Sequence, residues 1–199
     1  MNQRAMYTAL KKFHSVKEAD ELFDAVNNKI GEIEREREKY AHKALEQHFG
    51  ENILPILALY LVLKERDEFV NDALTLTQNT TEEMYKIGRK RMAFLGRFPF
   101  FYSLIQRMTP NMMKKMFPDE GWDIEWLEVG KKQVAFNMHA CFYLDSLTKY
   151  GAPELTPVFC GLDDLIYENV SPHLRWQRTG TLGRGDAHCD FRFINPKEK

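Results

Sequence analysis

Cysteine is scarce, at three in 199 residues. Three thiols cannot build a disulfide framework, and an odd count fits reduced thiols in a cytosol-like compartment, so a cytoplasmic protein is expected. Long apolar runs are missing. The longest, residues 53–63, holds Pro55 and falls short of the about 20 residues that span a bilayer, so no integral membrane segment is expected. Residues 1–12 lack the apolar stretch of a signal peptide. No excess of one charge exists either. Lys and Arg total 28 and Asp and Glu 29, a formal net charge of −1, which argues against a nucleic-acid partner. Repeats and low-complexity tracts are absent. What remains is 44% hydrophobic and 29% charged, the composition of a chain that buries a core.

The first half carries helical periodicity. Over residues 15–49, Leu22, Ala25, Val26 and Ile30 recur at three- and four-residue steps, with charged residues between them. Gly31 is a soft spot and Gly50 a stop signal, and Pro55 suits the first turn of the next helix. Residues 53–76 are apolar enough for a central buried helix. Thr80 followed by Glu83 has capping-box spacing, predicting a helix start there and a helix through about Leu95.

Residues 84–118 contain eight basic residues, no Asp or Glu, six of the nine methionines, and the cluster Phe98, Phe100, Phe101 and Tyr102. Such a segment serves as adaptable packing, as a lid over an anionic ligand, or as a membrane-surface contact. Pro99 and Pro110 are expected to break it into short helices.

From Trp122 the period becomes two. Trp122, Ile124 and Trp126 alternate with Asp123 and Glu125, Gly130-Lys131-Lys132 makes a turn, and Val134, Phe136 and Met138 resume the alternation. Helices are expected at 140–150 and 153–168, a strand from Leu174 to Thr179, a turn at Gly183-Arg184-Gly185-Asp186, and a last strand over 187–194. The order strand-strand-helix-helix-strand-strand after a helical half predicts an α+β fold, with helices on one face of an antiparallel sheet. One domain over 1–199 is expected, mainly helical over 1–118, with the sheet and two helices over 119–199.

All three cysteines lie in this second part. Cys141 sits where a strand gives way to a helix, a position that favours thiolate. Cys160 shares a helix face with Asp163, Asp164 and Tyr167. In the last strand Ala187, Cys189, Phe191 and Phe193 share one face, and His188, Asp190 and Arg192 the other. An apolar face packed on the helices directs Cys189 toward Cys141 and Cys160. Free cysteines also serve as small core residues. Two chemistries compete beyond that: a thiol site with Asp163, His139 or His188 moving the proton, and a metal site of Cys141, Cys160 and Cys189 with a carboxylate or imidazole. No CxxC or HxxxH pair supports the metal, and no metal or cofactor is assigned.

Cys160-Gly-Leu-Asp163, followed by Arg178-Thr-Gly-Thr-Leu-Gly-Arg-Gly-Asp-Ala-His-Cys189-Asp-Phe-Arg-Phe193, resembles the signature of the L-2-amino-thiazoline-4-carboxylic acid hydrolase-like family. The earlier Cys141 and the Gly-Trp-Asp-Ile-Glu-Trp hairpin fit it too. The resemblance implies a layout similar to 4-vinyl-reductase and TRAPP-like ligand-binding folds, with a pocket between helices and a twisted sheet. It also implies a bacterial small-molecule hydrolase that opens a heterocyclic acid, acting on cyclic amidine-type C–N bonds. Cys189, Cys141, Asp163 and Cys160 would then be catalytic, and Arg178, Arg184 and His188 would bind substrate. The alternative is a non-enzymatic ligand- or metal-binding sensor of the same fold. The expected partner is a small-molecule substrate or ligand, with a homodimer left open.

Overall fold

Ser15 shows how locally the N-terminal helices are encoded. Its side chain accepts from the Glu18 amide while Glu18 caps the Ser15 amide, a reciprocal capping box contributing about 1 kcal/mol. A computed structural model describes residues 3–198 of the chain. The helices are α1 (Gln3–Phe13), α2 (Val16–Glu36), α3 (Lys43–Gln47), α4 (Leu54–Lys64), α5 (Ala73–Leu95), α6 (Phe101–Met116), α7 (Phe142–Lys149) and α8 (Thr156–Tyr167). The strands are β1 (Ile124–Val129), β2 (Gln133–Met138), β3 (Arg175–Gln177) and β4 (Cys189–Ile194). The fold is α+β, and the chain divides between Tyr85 and Lys86 into two compact units.

In the first unit α2 buries Ala19, Leu22, Val26 and Ile33 along one stripe, and packs against α1 and α4. Gly31 leaves α2 unbroken. The long helix expected over 15–49 ends at Glu36, where Arg37 turns extended and its buried guanidinium pairs with Glu34 and Glu46. Gly50 is no stop. It lies in a wide π-helical turn, His48–Ile53, that runs directly into α4. Pro55 follows at once, and it has no N–H to return to the preceding turn. The single helix expected over 53–76 is two, because residues 65–72 form turns between α4 and α5. Leu54, Ile56, Leu57, Leu59 and Leu63 of α4 are fully buried, each worth about 1.5–3 kcal/mol in burial.

Thr80 caps nothing. It and Thr81 are buried inside α5, where Thr77 and Thr81 hydroxyls donate to carbonyls four residues back. In the second unit Pro99 separates α5 from α6 as expected, but Pro110 lies inside α6 and does not break it. The sheet is antiparallel in the order β1-β2-β4-β3, with Phe136 opposite Phe191 and Met138 opposite Cys189. One face is aromatic. Phe136 stacks on Phe191 with ring centroids 4.9 Å apart, and Trp176 meets Phe193. Tyr167 of α8 packs edge-on against Phe193, which places α8 on that face. The expected alternation fails in β2, where Val134, Ala135, Phe136, Asn137 and Met138 are all buried. Both faces of this strand are covered. Arg192 lies across it, donating to the Phe136 carbonyl and Asn137 Oδ1.

Candidate active site

The site is built from four pieces of the second unit: the start of α7, the length of α8, the segment after β3, and the start of β4. Cys160, Asp163 and Asp164 lie on α8 at helical spacing. Arg178 follows β3 and is held over them. Its Nη1 donates to Asp163 Oδ2 at 3.0 Å, and its Nη2 donates to Asp164 Oδ2 at 2.7 Å and to the Cys160 carbonyl at 2.6 Å. The guanidinium also faces Trp176 and Phe191, and only 3% of the side chain is exposed. Burial works against its charge, and the two carboxylates keep it charged. Trp176 completes the clamp by donating to Asp164 Oδ1.

Asp163 is held differently from Asp164. Burial pushes its carboxyl up to about 6, against the pull of Arg178 and with the help of neighbouring Asp164. The side chain keeps 39% of its surface exposed, so water still reaches the carboxyl. Arg178 holds Oδ2, and Oδ1 has no hydrogen-bond partner among the described residues.

The Gly-containing turn covers the thiols. Leu182–Arg184 forms a single 3-10 turn, closed by Gly185 at φ +90°, a left-handed conformation that glycine adopts without strain. The Leu182 amide donates to Cys189 Sγ at 3.2 Å. Gly183 packs so tightly that an added Cβ would lie 2.7 Å from Thr156 Cγ2 and 2.9 Å from Cys160 Sγ. Asp186 and Asp190 anchor the turn. Asp186 accepts from the Thr181 amide at 2.7 Å. Asp190 accepts from the amides of Thr179 and Gly180 at 2.8 and 2.7 Å and from the Thr179 hydroxyl at 2.9 Å. Burial alone would raise the Asp190 carboxyl, but these donors win and hold it below the ordinary carboxylate value.

The three thiols sense one another's charge, Cys160 acting on both Cys141 and Cys189. Burial pushes Cys141 up to about 11, against the amides of Leu144 and Tyr143, so the thiolate expected from its helix-start position is overruled. Burial likewise takes Cys189 up to about 12. It raises Cys160 too, with Arg178 and the nearby Thr181 hydroxyl opposing it. Among the described residues no three His, Cys, Asp or Glu side chains group as a metal site.

Arg184 is exposed on the turn, and Ala187, expected on the packed face, is exposed ahead of β4. His188 lies beside the hairpin residue His139. Its ring lies 5.5 Å from that of His139, which pairs with Glu125 at 3.0 Å. Sequence reasoning missed Thr156 and Thr181. Both are buried, and neither hydroxyl makes a hydrogen bond of proper geometry. Nothing in their spacing marks them, since the turn that brings them together is read only from the fold. Asp190 was visible in the strand alternation, but its role of holding the turn was not.

No curated protein and no solved structure is significantly similar to the chain. The model of the family described as L-2-amino-thiazoline-4-carboxylic acid hydrolase matches residues 2–193. That stretch takes in every element of the site, and the chain belongs to the L-2-amino-thiazoline-4-carboxylic acid hydrolase family.

Proposed function

We propose that the chain is a small-molecule hydrolase that opens a heterocyclic acid at a cyclic amidine-type C–N bond, with Asp163 as the base. The observation that carries this reading is the Asp163 carboxylate, pinned through one oxygen to a buried arginine and open at the other. A group raised toward neutral pH and still reachable by water has the properties of a general base. It takes a proton from a water that attacks the amidine carbon. The C–N bond within the ring then breaks, and the proton passes to the departing nitrogen.

The cysteines have a different role from the one their number suggests. Neutral, buried thiols are poor nucleophiles, so water attack is favoured over thiolate attack. Cys141, Cys160 and Cys189 shape the wall of the site, and Arg178 positions Asp163. Arg184, exposed beside Gly183, is the arginine free to hold the substrate carboxylate.

Ring opening of a 2-amino-thiazoline acid tests this. Asp163→Asn should lose 100-fold or more in kcat (about 2.7 kcal/mol). Arg184→Ala should raise KM more than it lowers kcat. Full turnover by Asp163→Asn would overturn the reading. One observation favours a second reading: three thiols held neutral also suit a ligand-binding module without chemistry. A ligand retained on the native protein and seen by mass spectrometry, with no turnover of any thiazoline acid, would support that module.

A further inference from the structure

We propose that the corner between α5 and α6 is a peripheral anchor for an anionic lipid surface. The corner exposes three phenylalanines in seven residues: Phe94 is 58% exposed, Phe98 39% and Phe100 54%. Their rings pack on one another rather than on a core. Phe94 meets Phe98 edge-on at 5.8 Å, and Phe98 stacks on Phe100 at 5.3 Å. Exposed aromatic clusters of this kind mark interaction surfaces.

Helix α5 extends the surface. Ile87, Lys90, Arg91 and Phe94 fall at i, i+3, i+4 and i+7 and therefore share a face, and all four are exposed. Arg97 is exposed within the corner itself. The same stretch, residues 84–118, holds eight basic residues and no acidic one. Apolar rings flanked by cations on one face are the pattern of an element that lies at a lipid interface. No helix among the described residues is long and apolar enough to cross a membrane, so the contact is with the surface.

The corner is tied to the fold on its inner side. The Gly96 carbonyl accepts from the Ser171 hydroxyl at 2.6 Å, and Phe101 and Tyr102 just beyond are buried. Charge decides the occupant. A second copy meeting this face through a two-fold axis would set cations against cations. Anionic headgroups complement it, at about fivefold in affinity for each basic residue near the surface.

Co-sedimentation of the full chain with vesicles tests the proposal. Binding is expected to phosphatidylcholine vesicles containing phosphatidylglycerol, to weaken in high salt, and to be absent with phosphatidylcholine alone. The double variant Phe98→Ser/Phe100→Ser should bind about tenfold or more weakly, and Arg91→Glu/Arg97→Glu should abolish binding. Both should keep the wild-type circular dichroism and thermal midpoint. No binding to anionic vesicles, equal binding to neutral ones, or double variants that bind like wild type would overturn the proposal. So would a dimer in sedimentation equilibrium that the phenylalanine variant dissociates, because the face would then belong to a second copy.

Discussion

Asp163 and Asp190 are pushed in opposite directions by their environments. Asp190, held low, supports the folded state above its ordinary value of 3.8, and that support is lost as pH falls through its lower native value. Asp190→Ala strands three donors of the 179–181 turn and should cost about 2–3 kcal/mol, read as a lower midpoint in urea. Asp163, raised to about 6, is ionised in the folded protein at a cost. Asp163→Asn should therefore leave the thermal midpoint equal or higher at pH 7, because Arg178 keeps Asp164. The activity assigned to Asp163 should fall away below about pH 6, as the base takes up its proton. The thiols are testable at the same scale. With Cys141 near 11 and Cys189 near 12, alkylation at pH 7.5 should run tenfold or more slower than for a free cysteine. It should reach the free rate once the protein is unfolded.

Elements with strong local signals were legible in the sequence. The hairpin around Gly130, the two helices after it and the last strand follow from alternation, proline and glycine alone. The buried placement of Cys189 follows from strand parity. The failures share one cause, which is that tertiary packing overrode a local signal. Thr80 and Glu83 have cap spacing, but burial of Thr80 and Thr81 carries α5 straight through. Gly50 looks like a terminator, yet a wide turn absorbs it ahead of Pro55. Arg178 is a different case: nothing in the chain order shows the two carboxylates of α8 that lie beneath it. Gly96 gives a test at this scale. A Cβ there would sit 2.6 Å from the Val170 carbonyl oxygen, a backbone atom that cannot swing away. Gly96→Ala should cost about 1–3 kcal/mol by chemical denaturation.

Across the whole molecule, the formal charge of −1 hides segregation. The acid-free stretch 84–118 is strongly positive, and the rest of the chain carries the opposite excess. At pH 7.5, above its sequence isoelectric point of about 6.6, the protein should still be retained on a sulfonate resin at low salt. The sheet order carries a consequence of another kind. Of the four strands, β4 comes last in the chain yet lies inside the sheet, between β2 and β3. A ribosome therefore delivers the hairpin, α8 and Arg178 before the strand that joins them exists. Until β4 emerges, β2 and β3 each present an open edge, and the turn over the thiols has neither Asp190 nor Cys189 to hold it. A chain ending at His188 should be cut readily by protease across 175–188, and restoring the six residues of β4 should close that window.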